Sequence, residues 1–567
     1  MRAMADDGIS RARFLKTAAL GVVSAALPVE ALAAPKAEAA SGEITDALIA
    51  AAEPLVGVDF PTGARPRVAG VVKELRSGLD ELRKRPLPNA ELPVLVYRPE
   101  GRQPEEGRRL DVRPRAVTQR RPSGEEDLAF LSAVELGALL RTRQVTSVEL
   151  TRLFLGRLET YGRKLKAVIN LTPERALRVA AEADARFARG EVRSSLQGIP
   201  TGVKDMLATK DAPTTWGAAP FGDQRFDYDA AVVERLEAAG SPLLGKLSLG
   251  SLGWNDVWFG GTTRNPWAPE EGSGGSSAGP VATVAAGLLP FAIGTEAYGS
   301  IVTPSERCRV VGLRPTFGRI SRHGLMSGTW SIDKIGVIAR SPEDTALVLG
   351  ALAGADPRDP SSIDRPLSYA PIRDLNGTKV KVALGNILAS DAQLKVYQAA
   401  QRHLRELGAS LTEREFTLPP ESLLTILYVE GAAAFEDFIR SAGIDELTES
   451  PWPVALRAAM YPTGVDYIQA LRHRRIATRT FEEEFGDADL ILAPDTAENL
   501  VLLTNLTGHP QIYLPTGQDA AGQPCGLSLI GRLYDEGRII AIAQALQSRM
   551  QPPNLRPDLT RVLALED

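Results

Sequence analysis

Residues 272–301 decide the fold class and contain most of the functional signal; their sequence is GSGGSSAGPVATVAAGLLPFAIGTEAYGSI. A Gly/Ser loop, residues 272–279, leads into the Ala-rich stretch Val281–Leu289, which predicts a buried helix. A second turn, residues 294–301, ends on Ser300 and an apolar residue. Because only a short helix separates the two turns, we expect their serine hydroxyls to lie on one side of the fold.

Helical patterns and short apolar runs alternate over most of the chain outside this stretch. Ser132–Glu135 and Thr146–Glu149 match the capping-box pattern, and Thr172-Pro173 is typical of a helix start. Short apolar runs between turn residues, typical of buried strands, are Lys379–Leu384, Leu490–Ala493 and Ile512–Pro515. This alternation predicts an α/β layered fold with a mixed or parallel sheet.

The composition of the 567 residues is that of an ordinary globular protein, with 44% hydrophobic and 24% charged residues. The formal net charge of −5 gives no basic face for nucleic acid. Two cysteines, Cys308 and Cys525, are too few for a disulfide framework, and we interpret them as small buried residues. The four histidines lack metal-ligand spacing. The composition therefore predicts a metal-free enzyme or binding protein without a nucleic-acid partner.

The first 33 residues are typical of an export signal. Arg11, Arg13 and Lys16 form a positive region before the apolar run Ala18–Leu27, and Ala31-Leu32-Ala33 suits signal cleavage. The run is shorter than the roughly 20 apolar residues of a membrane span. Residues 10–16 resemble the twin-arginine motif with Ala12 in place of the second arginine, so a twin-arginine-like signal and a Sec signal both stay open. We expect an exported protein, periplasmic or secreted; the alternative is a buried N-terminal helix.

An N-terminal extension, residues 34–126, follows the signal. It contains two helical patterns, Ile44–Ala52 and Val71–Leu82, and an arginine- and proline-rich segment, Gly101–Ser123. That segment fits a solvated linker, with contact to a partner as the alternative. The expected organisation is a signal peptide over 1–33, an extension or linker packed on the main domain over 34–126, and the main domain over 127–555.

Lysine and serine residues in these turns are candidates for catalysis. Lys204 directly follows a Gly/Pro-punctuated apolar run that begins at Gly198. The Gly/Ser loop matches neither a P-loop nor GxGxxG. It does contain GxSxG with Ser277 as the nucleophile, which would require a downstream histidine, and His509 is the one suited to it. Each of these signals is weak alone.

Together the segments resemble the amidase signature family of serine hydrolases, over about Leu128–Gln547. Further stretches that support the resemblance are Thr263–Trp267, Cys308–Thr316, Leu492–Pro494, Thr507–Pro510 and Gly526–Gly531. The resemblance implies a single α/β/α domain, in which helices cover a mixed, mainly parallel central sheet. It also implies cofactor-independent hydrolysis of an amide.

On this resemblance Lys204 matches the catalytic lysine, Ser276 the bridging serine, whose peptide bond is cis in the family, and Ser300 the nucleophile. A serine hydroxyl is a poor nucleophile unless a base takes its proton. A lysine can be that base if burial keeps it neutral. We therefore expect Lys204 to accept a proton through Ser276 as Ser300 attacks the substrate carbonyl.

Main-chain amides of Ala297, Tyr298 and Gly299, next to Ser300, are the expected oxyanion hole. The sequence departs from the family pattern here, with Glu296 in place of aspartate and Tyr298 in place of glycine. Tyrosine would be strained if its position required a positive φ. Arg309 likewise stands where glycine is usual.

The resemblance predicts an amidase that acts on a small-molecule amide and leaves a homodimer open, and the N-terminal signal pattern predicts that it is exported without stable membrane insertion. The alternatives are an esterase or carbamate hydrolase with the same three residues, and an inactive binding relative. The family also includes the amide-hydrolysing component of a tRNA-dependent amidotransferase, against which an export signal and an acidic chain argue. Pro419–Thr480 is expected to form part of the acyl pocket, lined by Tyr428, Phe435, Trp452 and Tyr461.

Overall fold

The computed structural model describes residues 43–59, 61–84, 87–89, 91–384, 391–495, 497–518, 524–550 and 556–565. The predicted signal peptide, residues 1–33, lies outside the described residues. The strands of the large central sheet, in chain order, are β1 (Val168–Leu171), β2 (Thr201–Lys204), β3 (Leu243–Leu247), β4 (Phe291–Glu296), β5 (Val311–Arg314), β6 (Lys334–Ala339), β7 (Lys379–Leu384), β8 (Ser410–Glu415), β9 (Leu490–Pro494), β10 (Gln511–Gln518) and β11 (Pro524–Gly531).

The eleven strands form one sheet in the order β8-β7-β9-β11-β10-β5-β6-β4-β2-β3-β1. The predicted α/β class with a mixed sheet is confirmed. The expectation of a mainly parallel sheet is wrong, because four of the ten neighbouring pairs are parallel and six are antiparallel. The consecutive strands β5 and β6 pair antiparallel, as do β10 and β11, whereas β2 and β3, and β7 and β8, have a helix between them and pair in parallel.

Helices surround this sheet. In chain order the α-helices of the described residues are α1 (Asp46–Val56), α2 (Arg65–Arg83), α3 (Glu125–Ala129), α4 (Ala133–Arg141), α5 (Ser147–Arg157), α6 (Pro173–Ala188), α7 (Ala231–Ala238), α8 (Ala278–Ala285), α9 (Val302–Arg307), α10 (Pro342–Leu352), α11 (Asp391–Glu406), α12 (Thr425–Ala434), α13 (Glu436–Arg440), α14 (Trp452–Ala458), α15 (Gly464–Phe485), α16 (Glu498–Thr507), α17 (Glu536–Met550) and α18 (Leu559–Leu563). Within the described ranges, none of them is both long enough and apolar enough to span a bilayer.

Local capping signals explain where two of these helices begin. The Ser132 hydroxyl accepts from the Glu135 amide and the Glu135 carboxylate returns the bond, so the predicted capping box of α4 is confirmed. At α5 the Thr146 hydroxyl caps the Glu149 amide, but the Glu149 carboxylate binds Arg121 instead. The second hydrogen bond of the predicted capping box is therefore absent, because the Glu149 carboxylate pairs with an arginine that is distant in sequence.

Part of the N-terminal extension runs along the main sheet domain. Leu110–Val112 pairs in parallel with Leu367–Tyr369, and Arg115 forms an ion pair of 2.9 Å with Glu343 on α10. Together with the Arg121–Glu149 pair, these contacts attach the segment to the main domain, while residues 101–123 stay exposed or half-buried.

The ends of three central strands place polar groups at one edge of the sheet. β2, β4 and β6 are buried along their length. β2 and β4 run parallel, so Lys204 and Glu296 lie at their shared carboxyl edge. β6 starts there, because Lys334 pairs directly with Glu296. This edge carries the candidate site.

Candidate active site

Lys204, the last residue of β2, is fully buried at this edge. Its Nζ lies 2.8 Å from Ser276 Oγ and 2.9 Å from Thr295 Oγ1. Burial lowers the pKa of Lys204 to about 7, against the opposing charges of Asp333 and Glu296. A large share of this amine is therefore neutral near pH 7 and able to accept a proton.

The Gly/Ser loop places Ser276 beside this amine. The Gly275–Ser276 peptide is cis, as the resemblance implies. A side chain at Gly275 would meet the Asn255 carbonyl oxygen at 1.8 Å, so this position requires glycine. The Ser277 amide donates to the Ser300 carbonyl at 3.1 Å, which joins the loop to the turn that carries Ser300. The structure thus brings the loop of Ser276 and the turn of Ser300 together, as the sequence predicts.

A buried carboxylate organises the turn. Glu296 accepts hydrogen bonds from the amides of Ile301 and Val302, at 2.8 and 3.1 Å, where α9 begins. Its other oxygen binds Arg314 at 2.7 Å and the Asn505 amide at 2.9 Å. Burial alone would raise the pKa of Glu296, but Arg314 and these donors lower it to about 2. A permanent carboxylate therefore holds the start of α9 and the turn before it.

The predicted oxyanion amides lie in this turn. Gly299 has the positive φ, 82°, whereas Tyr298 does not, so the strain considered for tyrosine does not arise. The Tyr298 ring packs against an apolar cluster that includes Val302 and Val501. Among the described residues, none accepts a hydrogen bond from the Gly299 or Ser300 amide. Both amides can therefore donate to a substrate oxygen, although the oxyanion hole of Ala297, Tyr298 and Gly299 stays a prediction.

Ser277 and His509, the alternative pair, are engaged elsewhere. The Ser277 hydroxyl is fully buried and donates to the Thr295 carbonyl at 3.1 Å. The His509 ring nitrogens bind Thr507 at 2.9 Å and Glu482 at 2.8 Å. The structure therefore does not bring this serine and this histidine together, and the nucleophile-elbow alternative lacks its base.

An aromatic group extends from Ser276 toward the helices expected to line the acyl pocket. A side chain at Gly253 would lie 3.8 Å from Ser276 Oγ, and the next residue is Trp254. The Trp254 ring packs edge-on at 5.6 Å against Trp452, which contacts Tyr428 at 6.4 Å. Sequence reasoning missed Trp254, which has no motif of its own.

The other two residues expected to line the pocket have different surroundings. Phe435 is buried against Trp216, with ring centroids 5.9 Å apart. Tyr461 lies on the surface with 66% of its area exposed.

Arg309 adopts a left-handed backbone conformation with φ of 55°. Glycine adopts this conformation without strain, which explains why glycine is usual at this position in the family. Here the guanidinium stacks 4.4 Å above the Trp267 ring, and this cation–π contact offsets part of the strain.

The two cysteines are buried and form no disulfide with each other, and burial raises the pKa of the Cys308 thiol. Within the described ranges, no group of three His, Cys, Asp or Glu side chains is placed to hold a metal ion.

Known proteins are similar to this chain in both sequence and fold. The amidase family model matches residues 149–503. The A subunit of glutamyl-tRNA(Gln) amidotransferase from Anaeromyxobacter sp. (strain K) is 33% identical over 489 residues, which span 76% of this chain and 99% of the relative. The native peptide amidase from Stenotrophomonas maltophilia superposes with a TM-score of 0.66 at 29% identity, over 75% of this chain and 98% of that one. An amidase family protein from Bacillus anthracis str. Ames reaches a TM-score of 0.70 at 25% identity, over 77% and 94%. The chain therefore belongs to the amidase signature family of amide-hydrolysing enzymes.

Proposed function

We propose that this enzyme hydrolyses the carbon–nitrogen bond of a small amide through an acyl intermediate on Ser300. The observation that carries the proposal is the buried contact of 2.8 Å between Lys204 Nζ and Ser276 Oγ. A neutral amine there can take the proton of Ser276, and Ser276 can take that of Ser300. The Ser277–Ser300 backbone bond supports this relay, because it holds the two serine segments against each other.

In the first half of the reaction the Ser300 oxygen bonds to the substrate carbonyl carbon. The carbonyl oxygen becomes negatively charged, and the amides of Ala297, Tyr298, Gly299 and Ser300 are the proposed donors to it. One such donor can contribute roughly 3–4 kcal/mol to catalysis. The proton held by Lys204 returns through Ser276 to the leaving nitrogen, so the amine departs neutral and Ser300 carries the acyl group.

In the second half water replaces the amine. Lys204, neutral again, accepts a proton from water through Ser276 as the water oxygen bonds to the acyl carbon. The Ser300 oxygen leaves and takes the proton back, and the carboxylic acid product loses its own proton to solvent and departs as the carboxylate. The relay uses only side chains of this chain and needs no cofactor.

The more specific part of the proposal is that the substrate is an amide rather than an ester. The proton-returning relay matters most for an amine, which is a poor leaving group, and the relatives include a peptide amidase and a component of an amidotransferase. The test measures kcat/KM on 4-nitrobutyranilide and on 4-nitrophenyl butyrate, with Ser300→Ala as the control. A substantial anilide rate that Ser300→Ala abolishes supports the amidase. Ester cleavage without anilide cleavage would instead support an esterase, and no cleavage of any amide or ester would support an inactive binding relative.

We also propose that the enzyme is exported, on the pattern of residues 1–33 alone, and that it acts outside the cytoplasm on a small-molecule amide. A fusion of residues 1–42 to a reporter that is active only after export tests this. Reporter activity lost on changing Arg11, Arg13 and Lys16 to glutamine would support export, and an inactive fusion would contradict it.

A further inference from the structure

A segment of the N-terminal extension reaches a loop beside the catalytic lysine. We call Asn89 together with residues 91–102 the strap. The Asn89 carboxamide pairs with both backbone groups of Ser327: its oxygen accepts from the amide at 2.7 Å and its nitrogen donates to the carbonyl at 2.9 Å. The same nitrogen lies 3.3 Å from the Ala434 carbonyl at the end of α12. One side chain thus ties together a loop, a helix and the extension.

The loop that Asn89 holds, Met326–Lys334, is connected to the catalytic strand. The Met326 amide donates to the Met206 carbonyl at 2.8 Å, two residues after Lys204. At the other end of the loop, the buried Asp333 carboxylate accepts from the amides of Gly328 and Thr329 at 2.9 and 2.6 Å. The position of Asp333 therefore depends on the same loop turn that Asn89 fixes.

A second part of the strap supports this loop near Ser331. The Tyr97 hydroxyl donates to the Leu506 carbonyl at 3.0 Å, and its ring lies 3.6 Å below the Arg474 guanidinium. Arg474 in turn donates to the Ser331 hydroxyl and carbonyl at 2.8 and 2.9 Å. The strap thus supports the loop at Ser327 directly and at Ser331 through Arg474.

The strap also reaches the surroundings of Asp333. Leu92 lines a cavity of about 20 Å³ together with Ser327, Asp333 and His323. This volume is close to the space that one water molecule needs. Leu92 and Asp333 therefore line one small cavity, and Asp333 is one of the two carboxylates that act on Lys204.

We propose that the strap is a positioning element of the active site, in which Asn89 and Leu92 fix the loop Met326–Lys334 and keep water from the buried surroundings of Lys204. The proposal rests on the proposed function. The strap lies before residue 149, where the match to the family model begins, so it is a contribution of this chain rather than of the matched domain.

The charges around Lys204 set the direction of the expected effect. Asp333 and Glu296 are the carboxylates that act on it, and the hydroxyls of Ser276 and Thr295 contact it. Burial is the largest influence on the pKa of Lys204 and lowers it. Water admitted by a loosened strap weakens that influence, so the neutral amine should appear only at higher pH.

Asp333 itself faces Arg322 and Lys334, and its pKa is raised by burial. A displaced Asp333 would lower the pKa of Lys204, but the loss of burial is the larger influence and decides the sign.

The test measures the rate at which a fluorophosphonate labels Ser300 as a function of pH, in the full chain and in Asn89→Ala, Leu92→Ala and Arg98→Ala. Arg98 is an exposed strap residue with a single long contact of 3.5 Å to Pro360, and is the matched control. We expect the pH midpoint to rise by about half a unit or more in the first two variants, because water reaches Lys204, and to stay unchanged in the control. The melting temperature of each variant is measured in parallel.

An unchanged midpoint in Asn89→Ala and Leu92→Ala would overturn the proposal, and a lower melting temperature alone would show that the strap is merely structural. If Asn89→Ala does not fold, Leu92→Ala decides. Failure of the wild-type chain to label on Ser300 would contradict the proposed function instead, so the two failures are distinguishable.

Discussion

Two buried lysines on neighbouring parallel strands, Lys204 on β2 and Lys246 on β3, have opposite surroundings. Both are fully buried. Lys246 Nζ lies 2.7 Å from the Asp205 carboxylate and 2.7 Å from the Thr214 hydroxyl. Lys204 contacts hydroxyls and a carbonyl, and in the part of the chain that the structure describes it forms no ion pair.

The difference shows how one residue type serves two purposes at the same depth. Burial lowers the pKa of both lysines, but Asp205 opposes this for Lys246 at contact distance. An ammonium paired with a carboxylate stays charged, whereas a buried amine that contacts only uncharged groups can lose its proton and act as a base. The following changes test whether the carboxylate partner is what separates the two lysines.

Lys204→Met should have the largest effect on activity. The side chain keeps its length but loses the base, so kcat on an anilide should fall by about 10²–10⁴-fold. The melting temperature should not fall, because no buried charge loses its partner. Steady-state kinetics and thermal unfolding check both statements; an active Lys204→Met protein would contradict the proposed base.

Lys246→Met should act on stability instead. It leaves the Asp205 carboxylate buried without its ion-pair partner, which should reduce the free energy of unfolding by about 3–5 kcal/mol. The Lys246→Met protein that remains folded should show the same pH dependence of fluorophosphonate labelling as the wild-type chain. The double variant Lys246→Met/Asp205→Leu is the control, and denaturant unfolding should show that it recovers part of the loss. A stable Lys246→Met single variant would show that the pair is not structural.

The pH dependence of the wild-type enzyme should report Lys204. Its pKa is lowered to about 7, so the neutral amine and the labelling rate should both increase as the pH rises through that value. Below the midpoint the rate should fall about tenfold per pH unit, as for one essential deprotonated group. Labelling rates between pH 5 and 9 measure this. A rate that stays flat over the range would mean that Lys204 does not titrate there.

The smallest effect is expected from the two threonine neighbours. Thr295→Val removes one hydroxyl beside Lys204 and should lower the labelling rate several-fold, since such a bond contributes about 0.5–1.5 kcal/mol. Thr214→Val removes the equivalent hydroxyl beside Lys246 and should change stability but not labelling. Equal labelling rates in the two variants would count against a special role for the surroundings of Lys204.

The residues of the candidate site that lie in local motifs could be named from the sequence. Lys204, Ser276 and Ser300 each stand in a short pattern that could be located without the fold. The helix start at Pro173 and the strand at Lys379–Leu384 were predictable for the same reason, since caps, turns and apolar runs are local.

Long-range partners could not be predicted in this way. The Asn505 amide that binds Glu296 is 209 residues away in the chain, and Asn89 is 238 residues from Ser327. No periodicity or turn signal encodes such pairings, because they arise only when the sheet closes. The strand directions, which made the sheet less parallel than expected, depend on the same long-range order.

The central claim is that Ser300 is the nucleophile and Lys204 its base. The most direct measurement labels the purified chain with a fluorophosphonate and identifies the modified peptide by mass spectrometry, with Ser300→Ala and Lys204→Met in parallel. We predict label on Ser300, none in Ser300→Ala and strongly reduced labelling in Lys204→Met. Label on Ser277 in the wild-type chain, or a folded wild-type chain that takes no label, would contradict the account.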